Sequence, residues 1–327
     1  MTIPPDRQGC ALAVTGLVKR YGGRAVVDGL TLQARRGEVT AVLGPNGAGK
    51  TTTIECCEGL RRPDGGSIEV LGLDPARDAA RLRARVGVML QDGGLPTGAR
   101  AGEVLRHVAA MHAHPLPVPR LLDLLGLTEH AGTTVRRLSG GQKQRLALAA
   151  AVVGRPELTF LDEPSAGLDP QSRLAVWALV TRLRADGVAV VLTTHLMDEA
   201  ERLADHVVVM DAGRAVAQGS PAELTGAGDT LRFSAPPGLD LAGLRTTLGP
   251  GVQALESSPG RYLVEGRPAT PGTAAAVHGE AGAALDPQMI AAVTAWCAGA
   301  GVRPDGLALG RRTLEDVFLD LTGRDLR

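Results

Sequence analysis

Residues Gly44, Pro45, Asn46, Gly47, Ala48, Gly49, Lys50 and Thr51, followed by Thr52, satisfy the spacing GxxxxGK with Ser or Thr next. Such a stretch can cradle phosphate: glycines let the backbone approach closely, N–H groups at a helix start face the anion, and the lysine reaches the outer phosphates. Thr51 can add its hydroxyl to Mg²⁺. Lysine occurs only at 19, 50 and 143, every other basic residue being arginine. An ammonium is a compact point charge that fits a phosphate loop where a forked guanidinium is too large. A second constellation is Asp162-Glu163 after the apolar Leu158-Thr159-Phe160-Leu161. Adjacent carboxylates are costly to ionise together unless a cation is near, and strand alternation sends them opposite ways. Asp162 can then help hold Mg²⁺ while Glu163 polarises a water for attack on a terminal phosphate. Taken alone, such a pair at a strand end more often caps a helix or faces solvent. Ser139-Gly140-Gly141-Gln142 opens a third possibility, because a Ser cap followed by glycines exposes N–H groups to an anion. It is also an ordinary helix start. Gln91 ends one apolar run and His195 follows another, so both are expected at one sheet edge with Lys50 and Glu163. His112 and His114 have no Cys or carboxylate beside them in a Pro-rich loop, which does not make a metal site.

Short, β-branched apolar runs must supply the strands that hold these groups. They are expected at Glu38 to Leu43, Val86 to Leu90, Leu158 to Leu161 and Val188 to Thr193, as buried parallel strands. Cys10 to Val18 and Leu30 to Ala34 read as further strands around a turn at Lys19 to Gly23, and Ser67 to Leu71 as another. Helical spacing marks Thr52 to Cys57, Arg77 to Arg85, Gly102 to His112, Arg120 to Leu127, Leu146 to Val153 and Gln171 to Ala185. Tyr21, one of only two tyrosines, either packs on the sheet or stacks on a base.

The chain has 327 residues, enough for one large domain and a smaller companion. Its 35 basic and 35 acidic residues cancel, so no overall field draws it to nucleic acid or an anionic membrane. Aromatic residues at 2% argue against base-stacking platforms for single strands. Cysteines stand at 10, 56, 57 and 297 with no CxxC pair, which suits reduced thiols in a cytosolic protein. Met1 to Gln8 lacks an apolar secretory core, and no apolar window is long enough to span a bilayer. Any membrane role is expected to run through a partner.

From Tyr21 to about Pro221 the ordered set of motifs resembles the nucleotide-binding subunit of an ABC transporter. GPNGAGKTT at 44–52 is similar to the family's Walker A, Gln91 to its Q-loop glutamine, LSGGQ at 138–142 to its signature and LTFLDEP at 158–164 to its Walker B. SAGLD at 165–169, ending in Asp169, resembles the D-loop; His195 resembles the switch histidine and Tyr21 the base-stacking aromatic. The resemblance implies an α/β phosphate-loop fold with a RecA-like core, an antiparallel β subdomain and a helical signature subdomain at about 92–155. It implies ATP and Mg²⁺ as cofactors, with Thr51, Gln91 and Asp162 toward the metal and Glu163, His195 and Gln91 in hydrolysis. It also implies a two-fold dimer in which Ser139, Gly140, Gly141 and Gln142 of one copy complete the ATP site of the other.

Residues 1–225 are expected to form this cassette and 226–327 a second, accessory or regulatory domain, where Gly, Ala and Pro increase. Strands at Thr230 to Ser234, Val252 to Glu256, Arg261 to Glu265 and Gly306 to Leu309 alternate with helices at Leu239 to Leu248 and Gln288 to Ala300. That βαββαβ order is a small α+β, ferredoxin-like arrangement. Gly266 to Leu285 reads as a linker, and Leu314 to Leu321 as a docking helix. This ending, with HLMDEAERLAD at 195–205, resembles drug and antibiotic exporter ATPases whose permease is a separate polypeptide. The expected role is therefore an exporter ATPase on the inner face of the cell membrane, pairing with a second copy and a permease and not with nucleic acid. An importer ATPase, a non-transport ATPase of the same family or a regulatory module are the alternatives. One cassette and no heptads weigh against translation and chromosome proteins that share the site.

Overall fold

The computed structural model describes residues 9–91, 94–226, 229–249, 252–266 and 287–322. The chain divides into two compact units, one running to Pro221 and the other beginning at Ala222. In the first unit β1 (Cys10–Tyr21), β2 (Arg24–Arg35) and, later, β4 (Gly65–Val70) form an antiparallel sheet in the order β2-β1-β4. The expected five-residue turn shrinks to Gly22-Gly23, both at positive φ, and Tyr21 pairs directly with Arg24. Two glycines accept the left-handed conformation of a tight hairpin, so both strands run longer than their apolar alternation suggests.

β3 (Val39–Leu43) leads into α1 (Lys50–Cys57); α2 (Ala79–Leu82) and β5 (Val86–Met89) follow. A helix over Arg77 to Arg85 does not form beyond that one turn. Asp74 accepts from Ala76 N at 2.8 Å in a local turn before Asp78, and Arg85 is drawn to Glu157 at 2.6 Å. The chain continues through α3 (Ala101–Ala109), α4 (Val118–Leu124), α5 (Gly140–Val152), β6 (Leu158–Asp162), α6 (Pro170–Ala185), β7 (Ala189–Thr194), α7 (Met197–Leu203), β8 (His206–Asp211), β9 (Arg214–Gly219) and α8 (Pro221–Thr225).

A six-stranded sheet has the order β5-β6-β7-β3-β8-β9, parallel except for β9. β3, β6 and β7 are buried at every position, as strands covered on both faces must be. β5 departs from the buried reading: it is the sheet edge, and Val88 is exposed. The core unites Leu12, Leu17 and Leu32 of the smaller sheet with Phe160, Val191 and Val208 of the larger, with Ile54, Cys56 and Cys57 of α1 in the same cluster. That apolar seat holds the phosphate-loop helix against the sheet.

In the second unit β10 (Asp229–Ser234), α9 (Leu241–Leu248), β11 (Val252–Ser258), β12 (Arg261–Gly266), α10 (Pro287–Gly299) and β13 (Asp305–Arg311) precede α11 (Leu314–Thr322). The sheet order β11-β12-β10-β13 is antiparallel throughout. β12 lies between β10 and β11, the split βαβ of a ferredoxin-like arrangement. Phe233 and Tyr262 stack at 5.2 Å, and Leu244, Val293 and Cys297 join the same core. In α11, Leu314, Val317, Phe318 and Leu319 are buried. The expected linker lies, after Gly266, outside the described residues.

Candidate nucleotide-binding and hydrolysis site

The strand register brings the chemistry to one edge. Leu43 pairs with Thr194, Asp162 with Thr193 and Met89 with Leu161, so the residues that follow β3, β5, β6 and β7 emerge together at the carboxyl ends of the parallel strands. Gly44 to Gly49 turn there. A Cβ at Gly44 would lie 2.4 Å from the Met210 carbonyl oxygen, and one at Gly49, where φ is +97°, 2.6 Å from that of Val26. Those two glycines are required by backbone packing as well as by phosphate approach.

Lys50 is buried and donates from Nζ to the carbonyl oxygens of Gly44 at 2.7 Å and Pro45 at 3.1 Å. Its Nζ is also 3.5 Å from Glu163 Oε1. Burial pulls the ammonium below its ordinary pKa, an effect the neighbouring Glu163 opposes. Asp162 is pushed the other way by burial, against hydrogen bonds from the Thr193 and Thr51 hydroxyls. Thr51 and Asp162 thus converge across 111 residues of chain.

Glu163 sits at φ +48°, in the left-handed region that a non-glycine side chain rarely adopts. Three bonds hold it there. Its N–H donates to the Thr193 carbonyl at 3.2 Å and to Thr193 Oγ1 at 2.9 Å, and its carbonyl accepts from Gln144 Nε2 at 2.6 Å. His195 Nδ1 lies 3.2 Å from Glu163 Oε2 without hydrogen-bond geometry. Lys50, Thr51, Asp162, Glu163 and His195 therefore form one cluster.

The remaining expected residues make other contacts. Gln91 is exposed beyond β5 and lines a groove of about 470 Å³ with Gly140, Gly141, Gln144, Glu163 and Gly167. Ser139 caps α5: its hydroxyl accepts from Gln142 N at 3.2 Å while Gln142 Oε1 accepts from Ser139 N at 2.9 Å. Gln142 Nε2 is 2.9 Å from His130 Nε2. Asp169 caps α6, accepting from Ser172 N at 2.9 Å. Tyr21 is 41% exposed, with Lys19 Nζ 5.4 Å and the Arg61 guanidinium 5.6 Å from its ring centre. Asn46 and Gly47 are exposed in the loop, Ala48 is buried in it just before α1, and Thr52 is half-buried in the first turn of α1. Sequence reasoning passed over Thr193, Gln144 and Glu199. Thr193 and Thr194 carry a usable signal, being hydroxyls at the end of an otherwise apolar buried strand.

Residues 27–166 match the family model described as ABC transporter. Over 322 residues the chain is 38% identical to Nod factor export ATP-binding protein I of Ralstonia nicotianae, covering 97% of this chain and 95% of that one. The chain belongs to the ABC transporter ATP-binding family. It is also 39% identical over 335 residues to daunorubicin resistance ATP-binding protein DrrA3 of Streptomyces coeruleorubidus, covering 97% of each chain. Among solved structures, an ATP-binding subunit of an ABC transporter matches with a TM-score of 0.60 at 30% identity, over 65% of this chain and 91% of that one. The fold is shared too with an ATP-binding cassette captured as a dimer with ADP and Pi, with a TM-score of 0.59 at 21% identity over 64% of this chain and 98% of that one. This ABC ATPase binds ATP and hydrolyses it. ABC ATPases dimerise and work with membrane permeases, and among the described residues no helix here is long and apolar enough to cross a membrane.

Proposed function

We propose that this ABC ATPase powers export of a small drug-like or lipid-like molecule through a separately encoded permease, as a pair of identical subunits on the inner face of the cell membrane. One observation carries the export reading: the likeness to Nod factor and daunorubicin-resistance ATPases runs through the second unit as well as the cassette, over 97% of the chain.

In this reading the N–H groups of Gly47, Gly49 and Lys50 receive the phosphates. Lys50 exchanges the neutral carbonyls of Gly44 and Pro45 for phosphate oxygens, so that its ammonium meets charged acceptors. Tyr21 stacks on the base. Thr51, Asp162 and Gln91 can each offer an oxygen ligand, the kind a hard cation takes, and Asp162, which the half-buried Thr51 touches, is itself buried. Mg²⁺ bound there supplies charge neutralisation on the phosphates. Glu163 accepts the proton of the attacking water, and His195, 3.2 Å from it, contacts the terminal phosphate. Ser139 and Gly141, at the start of α5, serve the ATP held by the other copy, and Asp169 faces that copy.

Glu163→Gln tests the site: ATP should still bind and drive a stable dimer in size-exclusion chromatography, with steady hydrolysis lost. Full turnover would remove Glu163 from its role. Recovery of a polytopic membrane protein with this chain from native membranes supports the transport reading, and recovery of ribosomes or DNA alone overturns it.

A further inference from the structure

Glu199, in the first turn of α7, is 1% exposed. Its Oε1 accepts from Ser165 Oγ at 2.6 Å and from Trp177 Nε1 at 3.0 Å, and its Oε2 is buried with no hydrogen-bond partner among the described residues. Burying a carboxylate is costly, and an apolar side chain of similar volume usually serves stability as well or better. Its position suggests what it does instead. Glu199 stands four residues after His195; Ser165 stands two residues after Glu163 and begins the segment that ends at Asp169. Trp177 lies two turns into α6, the helix that follows directly from that segment. The same face of α7 also presents Arg202, whose guanidinium lies 5.2 Å from the centre of the Trp177 ring.

We propose that Glu199 is a positioning residue which ties the loop after Glu163, the start of α6 and the helix after His195 to one carboxylate, and so sets how Glu163 faces His195 and how Asp169 is presented. The inference rests on the hydrolytic reading of Glu163 and His195 above. The strained backbone of Glu163 is clamped on one side by Thr193 and Gln144. Beyond Pro164 the chain is held by the Ser165 hydroxyl on Glu199 and by the turn bond from Ala166 N to the Glu163 carbonyl at 3.2 Å. Without the carboxylate, two buried donors lose their acceptor at once and this second clamp opens. A displacement on the order of 1 Å at a reacting group costs up to about a hundredfold in rate. The phosphate loop, which holds the nucleotide, has no bond to Glu199, so affinity for ATP should hardly change.

The test compares kcat, KM for ATP and thermal melting of the full chain with Glu199→Ala, Glu199→Gln and Ser165→Ala, using Glu163→Gln as the reference. Glu199→Ala should lower kcat at least about tenfold with KM within about threefold. Glu199→Gln, which keeps an acceptor at Oε1, should recover kcat to within about threefold of the parent. Ser165→Ala should lower kcat by about three- to fivefold and add nothing in the Glu199→Ala background, because both remove the same clamp. A folded Glu199→Ala protein with parental kcat, a loss shared equally by KM, or a Gln variant no better than Ala overturns the proposal. If Glu199→Ala does not fold, a folded Ser165→Ala protein with full kcat overturns it. Turnover by Glu163→Gln brings down the hydrolytic reading itself; an inactive Glu163→Gln beside a fully active Glu199→Ala brings down this inference alone.

Discussion

The interior of the first unit holds Thr40, Lys50, Thr159, Asp162, Glu163, Thr193 and Glu199, among other buried polar residues, whereas Thr230 alone is buried and polar among the described residues of the second. The second unit keeps its charges half-buried or exposed and pairs them with one another, as half-buried Arg312 does with half-buried Glu265 and exposed Asp320, and its core of Leu231, Phe233, Leu244 and Val264 is apolar. Buried polar groups lower stability unless each finds a partner. Lys50, Asp162, Glu163 and Thr193 among them gather at the edge where β3, β6 and β7 end, a cluster of buried polar groups that the described residues of the second unit lack. The contrast also explains strain: Glu163 at positive φ lies in the first unit, held by Thr193 and Gln144.

The contrast predicts graded effects. Glu163→Gln should reduce steady ATP hydrolysis by about 10² to 10⁴ while leaving the melting curve nearly unchanged, measured by phosphate release and calorimetry. A large stability loss with little loss of turnover would show that its buried carboxylate serves packing. Phe233→Ala in the second unit should do the reverse, costing about 3–5 kcal/mol through the lost Tyr262 stack and the cavity. Its ATP affinity should match the parent's in titration; a loss of affinity would break the separation of roles.

Glu58, at the end of α1, has both carboxylate oxygens buried without a partner among the described residues, and burial pushes its pKa up to about 8, with Asp162 adding to the rise. A folded-state pKa above the unfolded value means the native state holds the proton longer. Stability is then fully present below about pH 4.5 and falls as pH rises toward 8, levelling off above it. Glu58→Gln should remove that fall, so its advantage in denaturant midpoint should widen from pH 5 to about 8 and then hold. A difference independent of pH would rule out this carboxyl as the cause.

The smallest effect is the most discriminating. Asp169 and Asp240 cap α6 and α9 in the same way, accepting from Ser172 N at 2.9 Å and from Gly243 N at 3.0 Å. Either Asp→Ala change should cost about 1 kcal/mol in chemical denaturation. Only Asp169→Ala should also slow hydrolysis. Equal activities of the two variants would reduce Asp169 to its capping role.

Much of this molecule was legible because its signals are local. GPNGAGKTT is contiguous and its glycines have no substitute: at Gly44 and Gly49 a side chain would strike the Met210 and Val26 carbonyls. β3, β6 and β7 announce themselves as unbroken apolar runs because parallel strands are covered on both faces. The expectations that failed concern context. The helix over Arg77 to Arg85 has suitable spacing, yet a turn at Asp74 and the pull of Glu157 on Arg85 confine it to Ala79–Leu82. β5 reads as buried by composition, but no property of Val86 to Met89 tells that no strand lies beyond it.

The sequence by itself determined the phosphate loop, the cap at Ser139, the acidic pair at 162–163 and the βαββαβ order of the second unit, because each is written within a few neighbouring residues or in one periodicity. Only the tertiary structure decided how the acidic pair is held. Thr193 reaches Asp162 across 31 residues, Gln144 reaches the Glu163 carbonyl across 19, and Glu199 reaches Ser165 across 34. A hydrogen bond depends on position in space to within a fraction of an ångström, and no spacing along the chain encodes that until sheet and helices have packed.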